Sequence, residues 1–485
     1  MAETHGTGLD LHLDVTRGPG VGRALAAALR DAVRSGRLAA GTRLPGTRTL
    51  AADLGIARGT AVEAYSCLIA EGWLTGTTGA ATRVAELPAG LPPTSPEPRS
   101  PRDALQGVVQ GGAPHATSLA PVPGRPSIDL RPGRPDLSSF PRTRWASAVR
   151  RALASAPDSA WDYGDPAGQP RLRAAVAAYT ARTRGVRADA DSVVITAGFA
   201  HALAVLGRAL HGTGVRRVAA EDPGLARHRD LLRAAGLHVA PLRVDDAGAD
   251  PDDLADGVGA ALLTPAHQHP RGVVLAPRRR AAFLDLARRR HLYLVEDDYD
   301  GEFRYDRQPV GAMQAHAPDR VVYAGSASKA LAPGMRLGWL AVPPALREPV
   351  LRAVAELGAE PPAVDQLAFA DLLERGDYDR HIRQARLAYR RRRADLAARL
   401  PHPLGGVPAG LHTLVPVESA EEERRLTDTA RHAGLVLHGL HTAGYWHEPS
   451  DAHPAALVVG YATPPPHTWR SALDTLTNLL APTTP

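Results

Sequence analysis

The sequence has almost no lysine, although basic residues are common. Lysine and arginine together number 57 in 485 residues, and Lys329 is the single lysine. Arginine keeps its charge in proteins and cannot supply a free amine, whereas a deprotonated lysine can condense with a carbonyl group. Lys329 is either a stray surface residue or an amine nucleophile, and its neighbours decide between the two interpretations.

Cysteine, aromatic residues and long apolar runs are also scarce. The one cysteine, Cys67, excludes an intramolecular disulfide and a multi-cysteine metal cluster, which is typical of a reducing compartment. Aromatic residues make up 5% of the chain, so aliphatic side chains must fill most of the core. No apolar run is long enough to span a bilayer, and residues 1–6 lack the start of a signal peptide. We therefore expect a cytoplasmic protein that does not enter membranes.

The remaining composition is that of an ordinary soluble globular protein. Hydrophobic residues make up 44% and charged residues 22% of the chain. A length of 485 residues favours two or more domains. The net charge of +6 permits nucleic-acid binding but does not demonstrate it.

Residues 9–85 are predicted to form a compact helical unit that ends in a β-hairpin. Apolar residues recur every four positions over 21–35, Thr47 can cap a short second helix, and a third helix is expected over about 58–72. The predicted inward face of the third helix consists of Val62, Tyr65, Leu68 and Ile69. Short strands at 73–75 and 82–84 flank a glycine-containing turn. Three helices and a hairpin make a winged helix-turn-helix.

Three stretches of this unit, 35–48, 50–55 and 58–65, closely resemble the DNA-binding domain of GntR-type bacterial regulators. The resemblance implies that double-stranded promoter DNA is contacted by the side chains of Arg48, Arg58 and Thr60 and by a wing around Gly79. Side chains at the start of a recognition helix reach base edges, while arginines hold phosphates. The alternative is a purely structural helical bundle.

Two positions depart from that family's pattern. Ala57 stands where a capping serine is usual, and the wing reads Gly79-Ala80-Ala81-Thr82 in place of Gly-Ser-Gly-Thr. Residues 1–85 carry nine arginines and seven acidic residues, which predicts a local basic patch and not a basic domain.

The rest of the chain is divided into a linker and a second domain. Residues 86–127 are rich in Pro, Gly and Ser and are predicted to form a semi-extended linker. Residues 128–485 alternate apolar strands with helices, which predicts an α/β domain with a mostly parallel sheet covered by helices and a smaller C-terminal α/β portion. The predicted strands are 192–196, 215–219, 259–263, 292–295 and 321–324.

Polar segments follow several of these strands. Asp297 and Tyr299 end one strand, the turn at Gly198 and Phe199 starts a helix, and a loop over 264–272 contains His267. Lys329 is flanked by two hydroxyls and a fixed positive charge, which belong to Ser326, Ser328 and Arg336. An amine, a carboxylate, a phenol and a phosphate cradle are the groups that pyridoxal 5′-phosphate (PLP) requires. The sequence therefore predicts a PLP site, with His267 among the residues that bind the cofactor.

Together with segments 163–168 and 221–224, these motifs resemble the fold-type I aminotransferase domain of MocR/GabR-type regulators over about 128–480. With the GntR-like head, the resemblance covers that family's whole architecture. It implies that Lys329 forms a Schiff base with PLP, that Asp297 pairs with the pyridinium nitrogen, and that Tyr299 bonds the ring oxygen. The implied phosphate ligands are the side chains of Ser326 and Arg336 and the backbone N–H groups of Gly198 and Phe199.

The same resemblance implies an effector site and a homodimer. Arg227 matches an arginine placed near the effector, and Tyr163 matches a tyrosine that reaches the phosphate of the neighbouring subunit. Leu225 replaces an aromatic neighbour of the cofactor, and Val458 replaces an arginine that binds the substrate carboxylate in transaminases. The loop over 435–450, which contains Tyr445 and Trp446, either closes over the site or lies on the surface.

These features favour a PLP-binding transcriptional regulator. Its effector is either PLP itself, as in regulators of vitamin B6 synthesis, or an amino acid or amine. The alternatives are a working PLP-dependent aminotransferase with an added DNA-binding head, and a scaffold that binds DNA without a cofactor. Val458 argues against the aminotransferase, because valine cannot form a bidentate pair with a carboxylate.

Overall fold

The computed structural model describes residues 21–34, 38–76, 81–85, 127–305, 310–400 and 403–481. We call residues 21–85 the head and residues 127–481 the body. The predicted linker lies outside the described residues except for Ser127, and so do Gly79 and Ala80 of the predicted wing.

The head contains the predicted winged helix-turn-helix elements. They are α1 (Val21–Arg34), α2 (Thr47–Leu54), α3 (Arg58–Ala70), β1 (Leu74–Thr75) and β2 (Arg83–Val84), with β1 and β2 antiparallel.

Two details of the head differ from the prediction. Gly46 is the N-cap residue of α2, without a side-chain cap, so Thr47 lies inside the helix. Val62 is 42% exposed, because α3 packs against α1 and α2 through the small residues Ala61 and Ala64 together with Tyr65 and Leu68.

The body has a large sheet with helices on both faces. Its elements up to the end of the sheet are β3 (Ile128–Asp129), α4 (Arg142–Ser155), α5 (Pro170–Arg184), β4 (Val193–Thr196), α6 (Phe199–Gly212), β5 (Arg217–Asp222), α7 (Ala226–Ala234), β6 (His238–Asp245), β7 (Gly248–Ala249), β8 (Ala260–Leu263), α8 (Pro277–Arg289), β9 (Tyr293–Asp298), β10 (Val321–Ser326) and β11 (Gly338–Ala341). The strand order is β4-β11-β10-β9-β8-β5-β6-β7. β10, β9, β8, β5 and β6 run parallel, whereas β11 is antiparallel to both of its neighbours. The predicted α/β class with a mainly parallel sheet is therefore confirmed.

A smaller α/β portion completes the body. The helices α9 (Pro344–Leu357) and α10 (Ala363–Glu374) still pack on the large-sheet part, α9 on α6 and α10 on α4 and α5. The smaller portion follows them, with the elements α11 (Asp377–Arg399), β12 (His412–Val417), α12 (Ala420–His432), β13 (Leu435–Val436), β14 (His438–Gly439), β15 (Ala455–Gly460) and α13 (Trp469–Leu480). β12, β15 and β14 form an antiparallel sheet. β13 pairs with β3, which ties the start of the body to this portion. None of the described helices is long and apolar enough to cross a lipid bilayer.

Candidate functional site

The polar residues at the carboxyl edge of the large sheet surround a cavity of about 340 Å³. β10, β9, β8 and β5 are adjacent and parallel, so their carboxyl ends open on the same side. Ligands of such sheets bind beyond these strand ends. The volume suits a small organic molecule, and the lining includes Glu221, Thr264, Asp297, Ser326 and Lys329.

Lys329 lies three residues beyond β10 and lines this cavity. Its Nζ donates a hydrogen bond of 2.6 Å to the carbonyl oxygen of Gly133. Burial lowers the pKa of Lys329 below its usual value, although Asp297 and Asp300 act in the opposite direction. The amine therefore loses its proton more readily than a lysine in water, which favours attack on a carbonyl group.

Asp297 and Tyr299 line the cavity at the end of β9, the strand next to β10. Asp297 is buried, and burial raises its pKa well above the usual value, while the nearby Lys329 charge lowers it. A buried carboxylate of this kind is stabilised by a cation beside it. The position therefore suits a protonated ring nitrogen, and the Tyr299 hydroxyl supplies a neighbouring hydrogen-bonding group.

The amino end of α6 and the residues after β10 form an anion cradle. Gly198, the N-cap residue of α6, has a φ of +82°, and a Cβ there would lie 3.5 Å from Nη1 of Arg336 and 3.8 Å from Oγ of Ser328. The Ser326 hydroxyl donates to Ser328 Oγ at 2.9 Å. Phe199, the first residue of α6, lines the cavity. The first N–H groups of a helix have no partner within it and carry a partial positive charge, so they are available to an anion here.

The charge of the cradle is available to a ligand. Within the described residues no carboxylate forms an ion pair with Arg336. Two hydroxyls, one guanidinium and a helix start suit a phosphate dianion.

His267 lies beside Asp300 and Tyr299 and does not line the cavity. Its Nδ1 is 2.8 Å from Oδ2 of Asp300 and 3.1 Å from the Tyr299 hydroxyl, and all three residues are buried. His267, Asp300 and His412 each have an atom that could ligate a metal ion, and these three atoms lie within 4.8 Å of one another. The hydrogen bond with Asp300 explains this pairing without a metal ion. Because His267 also lies within hydrogen-bonding distance of the Tyr299 hydroxyl, it is placed to orient Tyr299.

One part of the cavity wall carries neutral hydrogen-bonding groups. The Tyr445 hydroxyl lies 3.3 Å from Nε2 of His269 and 3.2 Å from Nδ1 of His438, and all three residues line the cavity. Burial lowers the pKa of His438 to about 4 and that of His269 well below its usual value, so both rings are uncharged near neutral pH.

Glu221 is a further cavity residue to which the sequence assigned no role. Its carboxylate accepts hydrogen bonds from the Thr264 backbone at 3.0 Å and from Nε2 of Gln268 at 3.2 Å. Burial raises the pKa of Glu221 to about 7. This acid can therefore gain or lose a proton near neutral pH.

No guanidinium from β15 reaches the cavity. Val458 is fully buried in an apolar cluster with Leu440, Tyr445 and Trp446. Arg229 lines the cavity, but its guanidinium donates to the backbone carbonyls of residues 224 and 444–446. These bonds hold the 444–446 segment, including Tyr445, against the cavity.

Two predicted residues lie in more accessible positions. Arg227 is exposed at the cavity lining, and no described carboxylate forms an ion pair with it. Tyr163 is fully exposed and does not line the Lys329 cavity. It lines a separate cleft with Trp161 and Gln366. The predicted effector and partner-subunit roles of these two residues stay predictions.

The predicted DNA-contacting residues lie on α2 and in the first turn of α3. Arg48 on α2 and Arg58 at the first position of α3 are exposed, and Thr60 is half-buried in the first turn of α3. Ala57, the N-cap residue of α3, provides no side-chain cap, so the first N–H groups of the helix remain available. An exposed arginine at a helix start suits a DNA phosphate backbone.

Two protein-family models match the chain. The model "Aminotransferase class I and II" matches residues 126–430, and the model "Bacterial regulatory proteins, gntR family" matches residues 22–84. Together they cover nearly all of the head and residues 127–430 of the body.

Similar regulators and solved structures give the same division. The chain is 32% identical to the probable rhizopine catabolism regulatory protein MocR of Rhizobium meliloti, over 92% of this chain and 91% of that protein. It is 29% identical to the pyridoxine biosynthesis regulator PdxR of Corynebacterium glutamicum, over 86% and 87% of the two chains. The fold is similar to an archaeal alanine:glyoxylate aminotransferase, with a TM-score of 0.67, 22% identity and coverage of 74% and 92%.

Proposed function

The chain belongs to the MocR-type transcriptional regulators, in which a GntR-family head is joined to an aminotransferase class I and II domain, and from that membership we propose that it binds PLP at Lys329. We further propose that the state of this site changes how a homodimer binds promoter DNA. The observation that carries the proposal is the position of the Lys329 amine in one cavity with Asp297, Tyr299 and the anion cradle.

The residues present fit PLP at each of its polar groups. When bound, PLP supplies an aldehyde that forms a Schiff base with lysine and a ring that withdraws electrons. Lys329 offers the amine, Asp297 a carboxylate for the ring nitrogen, and Tyr299 a hydroxyl for the ring oxygen. Ser326 and Arg336, with the start of α6, offer the phosphate site.

Spectroscopy of wild type and Lys329→Ala tests the cofactor. We expect PLP to give wild type the visible absorbance of a lysine Schiff base and to leave the variant without it. Equal absorbance in both proteins would exclude Lys329 as the point of attachment. Thermal unfolding of both proteins without PLP controls for loss of fold.

Transaminase activity is the second candidate function, because Lys329, Asp297 and Tyr299, which we propose to bind the cofactor, are the groups that transamination also needs. Val458 is the observation against it. Transaminases, which this domain resembles, have an arginine at this position to bind the substrate α-carboxylate, whereas Val458 belongs to an apolar cluster. Incubation of the PLP-loaded protein with a panel of amino donors separates the two functions. Rapid conversion to the pyridoxamine form, with turnover on a keto acid, would establish the enzyme.

PLP and an amino acid or amine are both candidate effectors. The neutral wall of His269, Tyr445 and His438 and the buried Val458 favour PLP alone, and one relative is named for regulating pyridoxine biosynthesis. Arg227 favours an anionic amino acid, because it is exposed at the cavity without a described ion pair. Promoter binding measured with PLP alone, and then with added amino acids and amines, decides between them.

A homodimer is proposed from the cleft that contains Tyr163. Tyr163 is fully exposed and Trp161 is 43% exposed, and aromatic residues of this kind are enriched in protein interfaces. The proposed binding to promoter DNA would require a cytoplasmic protein, which is the location we propose.

A further inference from the structure

The two ends of α3 have different surroundings. Its first turn carries the exposed Arg58, whereas its C-cap residue, Glu71, lies against the body. A Cβ on Gly311 would lie 2.7 Å from Cδ of Glu71, so a side chain there would have to displace the Glu71 carboxylate. Trp73 stacks on His316, with ring centroids 4.1 Å apart and planes inclined by 26°. We call Glu71, Trp73, Gly311 and His316 the neck contact.

The head side of the neck contact is rigidly held. Arg30 of α1 binds both carboxylate oxygens of Glu71 at 2.7 to 3.0 Å, and Cys67 Sγ donates to the same carboxylate at 2.9 Å. Trp73 is 3% exposed and belongs to the core of the head. A movement of this contact must therefore move α1 and α3 together.

The body side is held by the strand that carries Asp297. Glu296, the residue before Asp297 in β9, accepts hydrogen bonds from the backbone N–H groups of Met313 at 3.0 Å and Gln314 at 3.1 Å. These two residues begin the 3-10 turn Met313–His316. The position of His316 is thereby fixed by a buried carboxylate of β9.

The residue after Asp297 fixes the other end of the same segment. Asp298 binds the guanidinium of Arg184 at 2.5 and 3.0 Å, and the Arg184 carbonyl accepts the N–H of Ala312 at 2.8 Å. Side chains of a strand alternate between its two faces. Asp297 therefore faces the cavity, while both of its neighbours hold the segment with Gly311 and His316 from the opposite face.

We propose that the neck contact transmits the state of the Lys329 cavity to α3 through the carboxyl end of β9. This inference rests on the proposed control of DNA binding by the site and adds the route. A ligand that engages Asp297 and Tyr299 better in one position of the β9 end favours that position. Glu296 and Asp298 then shift the 310–316 segment, and Glu71 and Trp73 carry the shift to the helix that bears Arg58.

Substitutions on the body side test this route without altering the cavity or the DNA-contacting face. Gly311→Ala places a methyl group against Glu71, and His316→Ala removes the stacking partner of Trp73. Gly212→Ala is the control for the first change, because a Cβ there meets nothing within 4 Å. His238→Ala, at an exposed position, is the control for the second.

The measured quantity is the ratio of DNA affinities with and without PLP. The DNA is a duplex selected from a random library by the PLP-loaded full-length wild type. We expect wild type and both controls to show a ratio on the order of 5- to 150-fold, the usual range of allosteric coupling. In Gly311→Ala and His316→Ala the ratio should fall towards one while PLP absorbance stays at the wild-type level. Hydrogen exchange of residues 67–73 and 310–316 should respond to PLP in wild type and lose that response in both variants.

The outcomes separate the route from the proposed function. A wild-type ratio of one would contradict cofactor control itself, and the route with it. A normal wild-type ratio that survives both body-side substitutions would contradict the route alone and reduce the neck contact to a static anchor of the head.

Discussion

The Lys329 amine and the Gly133 carbonyl are joined by a hydrogen bond of 2.6 Å that connects the two parts of the body. Lys329 follows β10 of the large sheet, whereas Gly133 lies four residues beyond β3, which pairs with β13 of the smaller portion. An amine that condenses with a carbonyl group loses N–H donors. Occupation of the cavity and the position of the Gly133 segment are therefore linked.

The lowered pKa of Lys329 predicts how PLP capture depends on pH. Burial favours the neutral amine, so the rate of Schiff-base formation should rise with pH and level off once the amine is fully neutral. The midpoint of this rise should lie below that of a free lysine. Stopped-flow absorbance over a pH series measures the midpoint, with Nα-acetyl-lysine amide as the reference amine. A midpoint at or above that of the reference would show that the cavity does not activate Lys329.

Arg336 is predicted to recognise the phosphate of the ligand. Arg336→Ala should weaken PLP binding by about 1.5–3 kcal/mol, the usual contribution of a hydrogen bond to a charged group. Binding of pyridoxal, which has no phosphate, should change little. Titration of both ligands against wild type, Arg336→Ala and the exposed control Arg352→Ala checks this. Equal losses for the two ligands would mean that Arg336 supports the cavity without contacting phosphate.

Arg58 is predicted to contact DNA. Its exposed position at the start of α3 leads us to expect that Arg58→Ala weakens promoter binding by about 1–3 kcal/mol. Fluorescence anisotropy over a salt series measures the loss, with Arg150→Ala on the exposed face of α4 as the control. PLP absorbance should not change. Loss of both properties would mean that head and body do not act as separate functional units.

Tyr163 is predicted to complete the phosphate site of a partner subunit. Because its side chain is fully exposed within one chain, Tyr163→Phe should leave thermal unfolding of the chain unchanged. PLP affinity of the dimer should fall by about 1.5–3 kcal/mol, the usual contribution of a hydrogen bond to a charged group. Sedimentation and PLP titration measure assembly and affinity. An unchanged PLP affinity in an intact dimer would assign Tyr163 to another role.

The candidate site residues that lie at strand ends could be predicted from the sequence. Asp297, Tyr299 and Ser326 each end or follow an apolar strand, and parallel strands bring their carboxyl ends to one edge. The α/β class could be predicted for the same reason, since continuous apolar strands between helices have few other packings.

Contacts between distant segments could not be predicted in this way. Tyr445 lies in a loop for which the sequence left cavity and surface equally open, and the bonds of Arg229 to the backbone of that loop place it in the cavity. The position of His267 depends on the buried partner Asp300. The stacking of Trp73 on His316 joins residues that carry no shared motif.

Borohydride reduction of the PLP-loaded protein, followed by mass spectrometry, tests the central claim most directly. Lys329 is the only lysine, so the account predicts one pyridoxyl group per chain, located on the peptide that contains Lys329. Reduction fixes a Schiff base wherever it has formed, and Lys329→Ala should therefore carry no side-chain label. A wild-type protein without label at Lys329, or with the label confined to the amino terminus, would contradict the account.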